Sequence, residues 1–223
     1  TAIETHIAEH HSEDGITITT STTATGSQLE PWDWRYYAEK LRESKYDFDE
    51  SQLKPYFSLS SMTEAIFECA NQLFGLKFIH LPDAVAYHPD VNVYEVREVD
   101  AETGEDTLRA VFMHDNYSRA NKQGGAWMSE YRCQTRNYVS DATSTNPTIV
   151  YNGSVIPIIV NNNNFNKAGE GKETLLSYDD CTTLFHEFGH GLHGMLSNVH
   201  YSTLASTSVL RDFVEMPSQL YEH

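Results

Sequence analysis

The chain is poor in cysteine, in basic residues and in long apolar runs, and each shortage narrows its class. Cys69, Cys133 and Cys181 are its three cysteines, too few and too scattered for a disulfide framework. An odd, sparse set suits a reducing compartment or carries no information. Lys and Arg number 15 against 32 Asp and Glu, a net charge of −17. Nucleic acid and anionic membranes attract basic surfaces, so neither is an expected partner. A solvated acidic surface accounts for most of the carboxylates. No apolar run approaches the ~18 residues of a membrane span, residues 155–160 being among the longest. The first residues carry no signal-peptide pattern. The expected location is the cytoplasm, with the periplasm as the alternative; the oligomeric state stays open.

What is present suits a globular chain with real chemistry. At 39% hydrophobic and 12% aromatic, 223 residues can bury a core in one or two domains. The most informative stretch is His186-Glu187-Phe188-Gly189-His190. Helical residues four apart lie about 6 Å apart on one face, so His186 and His190 can share one ion. Glu187 is displaced roughly 100° around the axis, placed to take a proton from water on that ion without ligating. A catalytic zinc keeps three protein ligands and an open position, and Glu215, in the run from Arg211 to Gln219, is the candidate third donor.

The flanking sequence predicts a helix around the motif. Ser177 is a plausible N-cap, and Asp179 and Asp180 fall in the first turn, where the dipole favours carboxylates. Leu184, Phe185, Phe188, Leu192 and Leu196 recur at helical spacing. Gly189, Gly191 and Gly194 each cost about 1 kcal/mol in a helix interior, which implies close backbone approach near the ligands. The competing reading is a buried amphipathic helix with incidental histidines.

Together these residues resemble the thimet oligopeptidase family of zinc metallopeptidases, and most closely its peptidyl-dipeptidase (dipeptidyl carboxypeptidase) branch. Further matching blocks are Pro31-Trp32-Asp33-Trp34-Arg35-Tyr36-Tyr37, Gln52-Leu53-Lys54-Pro55-Tyr56-Phe57, Tyr87-His88-Pro89-Asp90-Val91 and Gly124-Gly125-Ala126-Trp127. The similarity covers about residues 29–223. It implies one zinc ion on His186, His190 and Glu215, with Glu187 as general base. It also implies a zincin-like core acting on oligopeptides, by release of C-terminal dipeptides. Gly124, Gly125 and Ala126 would then line the cleft on a sheet whose edge can pair with an extended peptide; a bulge or turn, with Trp127 in the core, is the alternative. Family members are longer chains, and the part following the third ligand, with Tyr and His side chains for substrate, has no counterpart here. The chain is thus expected to be part of a catalytic domain, and a non-catalytic or inactive metal-binding piece is the alternative. Two departures stand out: Ala205-Ser206-Thr207 replaces the usual Ser-Gly-Thr, where a lost Gly suggests a changed backbone angle, and residues 137–147 look longer than expected.

Spacing suggests which groups support the ligands. A ligating His usually donates its other ring N–H to a carboxylate or carbonyl. Asp212, three before Glu215, is the first choice and Asp180 the second; each could equally be a surface carboxylate or a cap. His193 shares the face of His186 and His190 one turn on, and reads as packing or support rather than a ligand.

Along the chain, residues 1–28 form a polar, Thr/Ser-rich leader, expected to be loop or disordered. His6, His10 and His11 read there as an exposed polar face more readily than a metal site. Residues 29–223 form the expected partial metallopeptidase domain. Residues 33–46 and 59–74 are predicted helices, with Gly75 stopping the second. Residues 76–80, 91–99 and 108–114 are predicted strands, with 101–106 as a hairpin turn. Residues 148–160 continue as strand and 161–172 as polar loop. The predicted fold is α+β, mainly helical, with a small antiparallel sheet beside the His186–His190 helix.

Overall fold

A computed structural model describes residues 33–46, 52–99, 103–137, 150–151 and 153–223. The leader, its three histidines and most of the 137–147 stretch lie outside them. The chain divides into two compact units, Thr1–Gln52 and Leu53–His223. In the first, residues 34–46 form helix α1 (Trp34–Tyr46), close to the expected span.

The second unit begins with a 3-10 turn, Lys54–Tyr56, and helix α2 (Leu59–Phe74). Ser58 caps α2 by accepting the Ser61 N–H, and Gly75 ends it at φ 66°. That left-handed angle is why glycine stands there. The strands follow: β1 (Leu76–His80), β2 (Val91–Val99), β3 (Asp106–Tyr117), β4 (Trp127–Arg132), a small ribbon of β5 (Val150–Tyr151) and β6 (Ser154–Val155), and β7 (Ile158–Phe165). Helices α3 (Tyr178–Met195) and α4 (Arg211–Glu222) complete it. Among the described residues, none forms a helix long and apolar enough to cross a membrane.

The fold is α+β, with helix and strand more evenly shared than the mainly helical expectation. The main sheet has the order β1-β2-β3-β7-β4. It is mixed rather than antiparallel, because β7 pairs in parallel with β3 and antiparallel with β4. The reason is geometric: β3 and β4 run in opposite directions, so a strand inserted between them must be parallel to one. Residues 161–164, expected in a loop, instead form the middle of β7. Asparagine is a poor strand former, yet Asn161, Asn162 and Asn163 are buried. Asn161 and Asn162 pair with β3 and β4, and the Asn163 carbonyl accepts from Lys122, so tertiary context overrides propensity.

Side chains alternate across the sheet. Ala110, Phe112 and Ile159 face the helices and share a core with Ile66 and Ala70 of α2 and Leu184, Phe188 and Leu192 of α3. Phe67 stacks on Phe78 with centroids 4.1 Å apart. On the opposite face Val91, Val93, Met113 and Val160 form a smaller cluster.

A buried charged group ties β3 to its following loop. Asp115 accepts two bonds from Arg119, at 2.6 and 2.7 Å, one from Lys122 at 2.9 Å and one from the Tyr87 hydroxyl at 2.8 Å. Lys122 also donates to the carbonyls of Tyr117 and Asn163, joining β3 to β7. Burial alone would raise the Asp115 carboxyl, but the bonds from Arg119, Lys122 and Tyr87 outweigh it and hold it at about 2. A folded-state value below the unfolded one gives stabilisation that is complete above the unfolded pKa and lost as pH falls through the folded one. Replacing Asp115→Asn strands a buried ammonium and is expected to cost about 3–5 kcal/mol in urea unfolding at pH 7. The difference between wild type and variant should shrink between about pH 4 and pH 2.

Candidate metal centre

Helix α3 begins with a reciprocal cap: Asp180 N–H donates to Ser177 Oγ at 3.1 Å, and Ser177 N–H to Asp180 at 3.0 Å. Two turns later His186 and His190 project from one face, with ring centroids 4.9 Å apart. The three glycines do what their cost implies. A Cβ on Gly189 would sit 2.7 Å from Ser218 Cα and 2.9 Å from the Pro217 carbonyl, so α3 and α4 cross with no room for a methyl group. One on Gly194 would sit 2.6 Å from Ile159 Cδ1, and one on Gly191 3.0 Å from Asn161 Oδ1, both on β7. Tyr221 of α4 packs on Phe188 and donates its hydroxyl to the Ile66 carbonyl at 2.7 Å.

This crossing delivers Glu215. Its Oε2 lies 3.3 Å from His186 Nε2 and 3.1 Å from His190 Nε2, and the three donor atoms fall within 4.8 Å of one another. A tetrahedral ion with arms of 2.0–2.1 Å would separate its ligands by about 3.3–3.4 Å, close to the two distances from Glu215 to the imidazoles. The protonation pattern points the same way. His186 Nδ1 meets Glu222 Oε2 at 2.6 Å; an ionised carboxylate only accepts, which puts the proton on Nδ1 and leaves the Nε2 lone pair facing Glu215. Two acceptors turned toward each other fit a cation between them. Glu215 is itself fixed by the Ser218 hydroxyl, which donates to Oε2 at 2.9 Å. Burial opposes the Glu215 charge, but Ser218 and the two imidazoles overcome it and lower its pKa. Burial lowers that of His190, favouring the neutral ring that a metal requires.

Glu187 is 7% exposed, and its Oε2 has no hydrogen-bond partner among the described residues. Desolvation pushes its carboxyl up to about 7, with His186 and the backbone of Met128 opposing the shift and the Glu215 charge adding to it. With the donors it lines an open cavity of about 330 Å³, walled by Ala126, Trp127 and Met128 and by Thr207 and Val214. A hydrolytic metal site needs this combination: converging N and O donors, a spare buried carboxylate and an approach for substrate.

The structure gathers His186, Glu187, His190, Glu215 and Ala126 in one place. It corrects the choice of supporting groups. Asp180 closes the N-cap of α3 and does not meet a ligand. Asp212 is exposed in the first turn of α4, and the carboxylate on His186 is Glu222. His193 lies against Phe213, with centroids 6.2 Å apart, and lines a separate apolar groove with Leu192 and Met216. Gly124 and Gly125 do not line the cavity; Gly125 turns the chain at φ 87°, its carbonyl accepting from Asn164. Ser218 and Glu222 were missed, although they stand three and seven residues after Glu215, on the same helical face. At the altered turn, Ser206 holds φ 53°, a left-handed angle that glycine adopts more readily than serine.

Residues 8–223 match the sequence profile of peptidase family M3. The chain is 44% identical over 199 residues to dipeptidyl carboxypeptidase of Escherichia coli (strain K12), covering 89% of this chain and 26% of that protein. It is 36% identical over 197 residues to oligopeptidase A of the same organism, covering 88% and 26%. A probable cytosolic oligopeptidase A of Arabidopsis thaliana is 34% identical over 204 residues, covering 90% and 27%. The chain thus spans about a quarter of the length of the curated relatives it matches.

Two substitutions test the local geometry. Gly189→Ala must push α4 away from α3; it is expected to cost about 1–3 kcal/mol in thermal unfolding without metal, and to weaken zinc binding at least about tenfold in a competitive chelator titration. Ser206→Gly relieves a left-handed serine and should stabilise the fold by up to about 1 kcal/mol in the same unfolding assay.

Proposed function

Because the chain belongs to peptidase family M3, we propose that it is the metal-bearing part of a zinc peptidase that hydrolyses oligopeptides, releasing dipeptides from their C-termini. The observation that carries this reading is the convergence of His186 Nε2, His190 Nε2 and Glu215 Oε2 within 4.8 Å, beside a buried carboxylate that ligates nothing. One zinc ion would be held by those three side chains in a zincin-like core. When bound there, it would polarise a peptide carbonyl and make a water more acidic. Glu187 takes the proton of the attacking water and returns it to the leaving amine, a task suited to a buried carboxylate whose Oε2 has no hydrogen-bond partner among the described residues. Ser218 keeps Glu215 from rotating out of place. Edge strand β4 offers unpaired backbone to an extended peptide next to the cavity, so the substrate adds as a further strand, with Ala126 and Trp127 against it. The dipeptide preference comes from the likeness to dipeptidyl carboxypeptidase, and the cytoplasm is the proposed location.

A second reading is favoured by length. The chain spans 26% of the first relative, and a piece that holds metal without the remaining substrate groups would not turn over. Loss of even one oxyanion donor can cost roughly 100- to 1,000-fold.

Elemental analysis combined with a peptide assay separates the two. One zinc per chain is expected, with weak cleavage of a quenched oligopeptide by this chain alone. Glu187→Ala should keep the zinc and cleave at least about 100-fold more slowly, and amidating the peptide C-terminus should suppress dipeptide release. Bound zinc with cleavage indifferent to Glu187 would favour the non-catalytic reading.

A further inference from the structure

We infer that Glu222 is a positioning residue for His186: its carboxylate fixes the imidazole in the tautomer and orientation that turn Nε2 toward Glu215 and His190. The inference rests on the zinc reading above and extends it to a side chain two turns along from the third ligand. Glu222 Oε2 lies 2.6 Å from His186 Nδ1, a short bond of the kind an ionised carboxylate accepts. The side chains are 19% and 25% exposed, so solvent competes little for either group. Glu215, Ser218 and Glu222 occupy positions i, i+3 and i+7 of α4 and share one face. One helix thereby carries a donor, the hydroxyl that holds this donor and the carboxylate that holds a donor on the neighbouring helix.

The two imidazoles differ in this respect. His190 Nδ1 is buried and has no hydrogen-bond partner among the described residues, so its ring is held by packing and by its contact with Glu215. His186 lies nearer solvent, at 25% side-chain exposure against 12%, and without Glu222 its ring could rotate or carry its proton on Nε2. That proton would stand in the path of a metal. Glu222 therefore acts through His186 and touches neither substrate nor ion.

The test compares wild type with Glu222→Gln, which keeps the shape and loses the charge, with Glu222→Ala, and with Asp212→Ala as the control. Zinc affinity is read by competition with a fluorescent chelator, and the His186 tautomer by ¹⁵N NMR of the metal-free protein. Glu222→Ala is expected to weaken zinc about 10- to 100-fold, Glu222→Gln by less, and Asp212→Ala not at all. In the metal-free wild type the His186 proton should sit on Nδ1, and in Glu222→Ala it should move at least partly to Nε2. Circular dichroism shows whether each variant folds. An unchanged tautomer in folded Glu222→Gln and Glu222→Ala, with zinc affinity within twofold of wild type, would overturn the inference. A wild-type chain that binds no zinc would instead sink the functional reading, while the tautomer measurement would still decide what Glu222 does.

Discussion

The structure depends on a contact between two helices where no side chain fits. At Gly189 the backbone of α3 meets Ser218 and Pro217 of α4 so closely that a single methyl group would collide with main-chain atoms. Two imidazoles fixed on one helix cannot form a three-donor site without a carboxylate brought from elsewhere. The distance at which that carboxylate arrives is set by this crossing. The helix cost of Gly189, about 1 kcal/mol, is the local penalty for a short interhelical distance.

The same economy places α3 on the sheet. Gly191 and Gly194 let it settle against Asn161 and Ile159 of β7, and β7 lies between β3 and β4. Edge strand β4, which walls the cavity, is thereby held at a fixed height beside Glu187, whose carboxyl meets the Met128 backbone. At the same end of β3, Lys122 reaches from the loop before β4 to carbonyls on β3 and β7. The cavity wall and α3 are thus joined through one strand rather than through loops.

Much of this was legible from residue order. The helical period around His186, the helix stop at Gly75, the cap at Ser177, and the spans of β1 and β2 follow from local chemistry, and the structure agrees with them. Glu215 was found because a zinc site lacking a third donor is chemically incomplete. Other features depend on pairing between distant segments, which no local pattern records. The run of asparagines in β7 reads as loop until neighbours on both sides are known, and the parallel β3–β7 pairing joins strands that are not consecutive in the chain. Asp180 suits a ligand's partner by type, but Ser177, three residues before it, claims it as a cap. Asp212 lies back along α4 from Glu215, whereas the face that meets the donors runs forward to Ser218 and Glu222.

The placement of Glu215, Ser218 and Glu222 on a single short helix has a thermodynamic consequence. An ion bound by both helices stabilises only conformations in which α4 is docked, so its binding energy becomes local stability of that helix. Amide hydrogen exchange along residues 211–222 should then slow with metal loading far more than exchange in the β2–β3 hairpin. Occupancy of the centre by an ion and opening of α4 would then be one coupled equilibrium.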